Sequence, residues 1–251
     1  MSAGAVVLDK LKLGFNGVVA ADVSLTVNPG EVVVFLGPSG CGKSTVLRAL
    51  AGLLTPMSGT ATVDGAPVTG NAAQCAMVFQ EDALFPWRTA LKNVQYPLRL
   101  RGVRGKELKR AATERLEQVG LGTYLDHLPS QLSGGMRQRV QLARTLACEP
   151  RVMLMDEPFG ALDAQTRLEM QQLLVSVWAA QKMTILFVTH DVDEALLLAD
   201  RVVLLSHRPA TVADVITIDQ PRSAEAQFHE DYQRRRRDIL RFLGHSPAQS
   251  A

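Results

Sequence analysis

Apolar positions recur along this chain in two rhythms, and the rhythm changes twice. Residues 5–13 and 21–27 alternate or run apolar around turn residues (Gly14, Asn16, Gly17), which predicts two strands of an antiparallel edge. Residues 31–36 form a β-branched apolar run, the pattern of a buried parallel strand, and residues 44–50 read as a helix. Turn residues over 55–60 precede a short strand at 60–64, and Asp64-Gly65 predicts a hairpin turn. A further apolar strand at 74–79 ends at Gln80. From there to about Pro150 the pattern is helical, over 105–120 and 136–148, with Leu108, Ala112, Leu116 and Val119 on one face. Strand and helix then alternate again: strand 151–155, a long helix 162–180 with Leu173, Leu174 and Val177 on its apolar face, strand 183–188, helix 192–199, and strand 202–206. Such alternation predicts an α/β fold with a mostly parallel sheet, an antiparallel β edge, and a helical subdomain inserted between core strands. The expected division is 1–80 with 150–220 as the core, 81–149 as the helical subdomain, and 221–251 as a polar, then helical, tail.

The composition changes little in this picture. In 251 residues, 47% are hydrophobic and 21% charged, enough for a sizeable core. A net charge of +2 gives no reason to expect nucleic acid as a partner. The start of the chain lacks the basic flank of a secretory signal, and no apolar run approaches the eighteen or so residues that cross a bilayer. The expectation is a soluble chain, able to sit on a membrane partner. Cys41, Cys75 and Cys148 are widely spaced, the pattern of reduced thiols without a disulfide framework.

The sharpest chemistry lies in Gly37, Pro38, Ser39, Gly40, Cys41, Gly42, Lys43, Ser44 and Thr45, which fit the phosphate-binding pattern G-x-x-x-x-G-K-[ST] between a strand and a helix. Glycines let successive N–H groups turn inward at a di- or triphosphate, Lys43 supplies charge at the β- and γ-phosphates, and the Ser44 hydroxyl suits Mg²⁺. The strand at 151–155 runs into Asp156 and Glu157, placed for Mg²⁺ binding and for polarising a water that attacks the γ-phosphate. Ser133, Gly134 and Gly135 open a helix with a good N-cap and exposed amides, a second anion site. One chain has no need of two γ-phosphate sites for one nucleotide.

In order and spacing, residues 6–220 resemble the ATP-binding subunit of an ABC transporter: the phosphate loop 37–45, a Q-loop glutamine at Gln80, the signature LSGGMRQR at 132–139, a Walker B strand ending at Asp156, then Glu157, a D-loop ending at Asp163, and a switch histidine at His190. The resemblance implies a P-loop NTPase core of RecA-like fold, with ATP and Mg²⁺ as ligands. It implies Phe15 stacked on adenine, where relatives more often carry Tyr, and Gly160 stands where many have Ser. Ser44, Gln80 and Asp156 are implied at Mg²⁺, with Glu157, His190 and Gln80 in catalysis. Two subunits are implied to meet head to tail, each phosphate loop facing Ser133, Gly134, Gly135 and Asp163 of the other.

The segment 81–89, with Phe85, Pro86 and Trp87, then corresponds to the groove for a coupling helix of a transmembrane permease. Pro86-Trp87, the 156–163 segment and 205–210 with Pro221-Arg222 are similar to importers of nitrate, taurine and alkanesulfonates, fed by an extracytoplasmic solute-binding protein. Such a subunit sits on the cytoplasmic face of the membrane. The alternatives are a soluble ABC-type ATPase in DNA repair or translation, which usually carries tandem cassettes or long coiled coils, and a P-loop kinase, which has no use for LSGGM. Arg234, Arg235, Arg236 and Arg237 are expected on a solvated helix face.

Overall fold

The computed structural model describes residues 3–15, 18–70, 74–81, 83–219, 222 and 227–244. Two compact units divide it, Ala3–Ala72 with Thr184–Ala251, and Ala73–Met183.

The chain enters the first unit through β1 (Val6–Phe15) and β2 (Val18–Val27), an antiparallel pair. Their turn residues Asn16 and Gly17 lie outside the described residues. In β1 the buried side chains are Val6, Leu8, Leu11 and Leu13, so the alternation changes phase in mid-strand. A bulge between Leu8 and Leu11, with Lys10 at φ 46°, keeps all four on one face. β3 (Val32–Leu36) is buried throughout, and α1 (Lys43–Leu50) follows it. β4 (Ser58–Val63) and β5 (Ala66–Pro67) form a hairpin whose turn residues, Asp64 and Gly65, both have positive φ, as the Asp-Gly pair foretells. Strands order as β2-β1-β4-β5 in the antiparallel sheet.

The second unit begins with β6 (Cys75–Val78) and passes through α2 (Ala90–Leu100), α3 (Gly105–Gln118) and α4 (Gly134–Leu146) before β7 (Val152–Asp156) and α5 (Ala164–Gln181). β6 and β7 pair in parallel, Val78 opposite Met155. On α3 the inward residues are Leu108, Ala112 and Leu116, and Val119 just beyond is also buried. On α5 the buried stripe is Met170, Gln171, Leu174 and Val177, with Leu173 only half-buried. α2 escapes a pattern search because Pro97 lies inside it and its buried face includes Asn93.

Back in the first unit, β8 (Thr184–Val188), α6 (Val192–Leu198), β9 (Arg201–Leu205), β10 (Val212–Thr217) and α7 (Glu230–Phe242) complete the chain. β9, β3 and β8 run parallel, side by side in that order, with β10 antiparallel beyond β9. The fold is thus α/β, with parallel central strands and a separate antiparallel sheet.

α7 docks on α6. The Tyr232 hydroxyl donates to Asp193 Oδ1 at 3.0 Å, and Arg236 Nε donates to the same oxygen at 2.8 Å. Within the arginine run, Arg234 and Arg235 pair with Asp231 of the same helix, while Arg236 serves this docking, so the run is only in part a solvated face.

Candidate functional site

In an open α/β sheet the carboxyl ends of parallel strands are the natural place for ligands. Each unit here carries candidate residues at such an edge. In the first unit, the phosphate loop leaves β3 after Leu36 and the segment bearing His190 leaves the adjacent β8 after Val188, with Phe35 opposite Val188. The two segments therefore start level on neighbouring strands. Gly40 and Gly42 have φ of 73° and 122°, where a side chain is strained, and a Cβ at Gly42 would lie 3.0 Å from the Ala20 carbonyl oxygen. Lys43 is buried, and its ammonium donates to the carbonyls of Gly37 (2.7 Å) and Pro38 (3.0 Å), which fixes the loop from inside. Ser44 is in the first turn of α1, at its positive dipole end. His190 is exposed; before it Thr189 is buried, and its hydroxyl accepts from the Asp191 N–H at 3.0 Å. Asp191 caps α6 through the N–H groups of Asp193 and Glu194. Phe15 ends β1, and its side chain lies outside the described residues.

In the second unit, Gln80 follows β6 and Asp156-Glu157 closes β7, again at the same end of adjacent parallel strands. Glu157 has φ 44°, a left-handed conformation that costs a non-glycine residue about 1–3 kcal/mol and is often kept at working sites. A Cβ placed on Gly160 would lie 3.8 Å from both Gln80 Nε2 and Glu157 Oε2. Gln80, Glu157 and Gly160 therefore form one cluster, with room for the serine that the resemblance leads one to expect.

Ser133 caps α4, its hydroxyl accepting from the Met136 N–H at 3.2 Å. Asp163 caps α5, its carboxylate accepting from the Thr166 N–H (3.0 Å) and hydroxyl (2.7 Å). Those two bonds hold the Asp163 carboxyl below its ordinary range. A cleft of about 530 Å³ is lined by Gln80, Glu81, Gly134, Arg137, Gln138, Ala161 and Leu162. The Q-loop, signature and D-loop positions are thus neighbours around one opening.

Three further residues organise this unit and carry no sequence signal of function. Buried Asn93 accepts from the Phe85 N–H at 2.9 Å and donates to the carbonyls of Arg88 and Thr89, pinning the 85–89 turn. Trp87 is left 73% exposed on that turn, and the Arg88 guanidinium stacks 4.8 Å from the Phe85 and Tyr96 rings. Asp82, in the same segment, lies outside the described residues. Gln138 and Gln141, both buried, project from α4 toward the loop that carries Gln80.

Comparison with known proteins identifies the family. The family model described as ABC transporter matches residues 20–160. The nitrate import ATP-binding protein NrtD of Synechocystis sp. is 46% identical over 231 residues, covering 91% of this chain and 87% of that protein. The taurine import ATP-binding protein TauB of Mesorhizobium japonicum is 50% identical over 209 residues, covering 82% and 81%. Among solved structures, a dimeric post-hydrolysis state of an ATP-binding cassette bound to ADP and Pi superposes with a TM-score of 0.75 at 32% identity, over 86% of this chain and 99% of that one. With its phosphate loop, signature helix and Gln80–Glu157 cluster in place, the chain belongs to the ABC transporter family.

Proposed function

We propose that this chain is the ATP-hydrolysing subunit of an importer, and that two copies close on ATP to drive a membrane permease. The preformed phosphate loop carries the reading: Lys43 is already buried and held by two loop carbonyls, and Gly40 and Gly42 before it are in conformations that strain any other residue. Such a loop receives a triphosphate with little reorganisation. The donors assigned to Mg²⁺, the Ser44 hydroxyl, the Asp156 carboxylate and the Gln80 amide oxygen, are all hard oxygen ligands, which fits that ion. Bound there, Mg²⁺ supplies charge neutralisation on the phosphate oxygens.

The chain's own residues do the rest. Lys43 and the loop amides hold the phosphates. Glu157 accepts a hydrogen bond from the attacking water and orients it, as Gln80 does from the same cluster. His190 donates to the γ-phosphate. Ser133, Gly134, Gly135 and Asp163 of a second copy cover that phosphate, so that closure depends on ATP. The exposed Trp87 turn and its Arg88-Phe85-Tyr96 stack receive the permease.

The subunit then lies on the cytoplasmic face of the membrane. No helix among the described residues is long and apolar enough to cross it. The names of the relatives support import of a small oxyanion such as nitrate or a sulfonate such as taurine; an extracytoplasmic solute-binding protein that hands the solute to the permease completes the proposed importer. They favour this over a soluble ATPase of DNA repair or translation. The proposed working division is residues 1–80 and 150–220 as the ATP-binding core, 81–149 as the helical subdomain and 221–251 as the tail.

Glu157→Gln tests the assignment. It is expected to bind ATP at parental affinity, accumulate as a dimer with ATP on size exclusion, and turn over about 10²–10⁴-fold more slowly. Hydrolysis at the parental rate would remove Glu157 from the mechanism.

A further inference from the structure

Four main-chain carbonyls of the segment that follows β6 accept from side chains of one helix. Gln141 Nε2 donates to the carbonyls of Phe79 (3.3 Å) and Glu81 (3.2 Å), Gln138 Nε2 to that of Gln80 (3.3 Å), and Arg144 to that of Ala83 (2.9 Å). Ala83 is itself held at φ 37°, a conformation that needs its surroundings to keep it. The helix is α4, and its first turn is the Ser133-Gly134-Gly135 anion site. Gln141 is fully buried, yet its Oε1 has no hydrogen-bond partner among the described residues. Leaving a buried amide oxygen unpaired costs stability, and an apolar side chain would fill the place without that cost. The two donated bonds are what the glutamine gains over such a side chain.

We propose that Gln141, with Gln138 and Arg144, is a positioning residue. It fixes the Gln80 loop to the signature helix, so that occupancy of the anion site at the start of α4 is transmitted to Gln80 through a rigid helix. This inference rests on the reading of Gln80 as a residue that acts at the nucleotide. It explains why three polar side chains at successive turns of α4, two of them buried, meet consecutive stretches of one loop. Gln80 is then held on both sides: its main chain to α4, its side chain in the cluster with Glu157 and Gly160.

The test is a double-mutant cycle on the full-length protein, with ATP turnover as the readout. Gln141→Met keeps length and volume and removes the two donors. The expected result is a fall in kcat of roughly tenfold with KM for ATP within about twofold. In a Gln80→Ala background the same change is expected to lower kcat by less than about twofold, because the residue it acts through is gone. Backbone amide exchange in the loop around Gln80 should accelerate while the amides of α4 keep their protection. A merely structural role predicts the reverse: equal losses in both backgrounds, with faster exchange along α4, and that result overturns the proposal. Should Gln141→Met not fold, Gln138→Met removes the single donor to the Gln80 carbonyl and is read by the same cycle. Parental turnover by Gln80→Ala alone would instead strike the catalytic reading of Gln80 and take this inference with it, a pattern distinct from equal losses.

Discussion

Gly135 lies in the first turn of α4, where a glycine lowers helix stability and alanine would ordinarily be preferred. Its reason is local. A Cβ there would run into Thr166 Cγ2, well inside van der Waals contact. Thr166 has little freedom to yield, because its N–H and hydroxyl are both bonded to the Asp163 carboxylate, at 3.0 and 2.7 Å. Overpacking against such a neighbour costs about 2–3 kcal/mol, toward the upper part of the usual range. Gly→Ala in a helix returns about 1 kcal/mol. Gly135→Ala should therefore destabilise by about 1–2 kcal/mol net, and at about 2–4 °C per kcal/mol for a chain of this length the melting temperature should fall by about 2–8 °C. Thr166→Ser removes the offending methyl and keeps both bonds to Asp163. In that background Gly135→Ala should become neutral or stabilising by up to about 1 kcal/mol. Differential scanning fluorimetry of the four proteins reads both signs. If Gly135→Ala raises the melting temperature on its own, or lowers it equally beside Thr166→Ser, the packing argument is wrong.

Two other expectations concern groups that titrate. Burial and the neighbouring Asp193 raise the pKa of Tyr232 in the folded protein, so its neutral form is the one that holds α7 on α6. The resulting stability is present below the unfolded value near 10 and is lost as pH rises through the folded value; Tyr232→Phe should flatten the decline in melting temperature above about pH 10. Burial pushes the Cys75 thiol up to about 12, so it stays protonated at pH 8, and iodoacetamide should label Cys75 only after denaturation when peptides are mapped.

Much of the fold was legible because its signals are local. Residues 31–36 and 183–188 are β-branched and apolar in short bounded runs, and they form β3 and β8; the stripe Leu108, Ala112, Leu116 foretold the inner face of α3. The phosphate loop was legible because its glycines answer to backbone geometry that can be stated in advance. Other features were not local. The alternation of β1 changes phase at a bulge, which depends on the partner strands. α2 contains Pro97 and buries Asn93, whose value lies in bonds to the 85–89 turn that forms just before it. β10 has no fully buried residue and pairs only along its edge with β9, so it left no apolar pattern. In the site, the residue types at 80, 156 and 157 were readable, but the donors from Gln138 and Gln141 were not, because a glutamine on a helix reads as a polar face until the loop it meets is placed.

On the proposed function, one chain holds two halves of different ATP sites, completed by a second copy. This arrangement is tested most directly by mixing two inactive variants. Lys43→Ala abolishes the phosphate loop and leaves the signature intact; Ser133→Arg blocks the signature and leaves the phosphate loop intact. Each homodimer then lacks both sites, whereas a mixed head-to-tail dimer has one site with both halves intact. ATP turnover should reappear on mixing, reaching roughly a quarter of the parental rate at equal amounts if the intact site works independently of the other. A mixture that stays as inactive as its components, with mixed dimers present, would contradict the account.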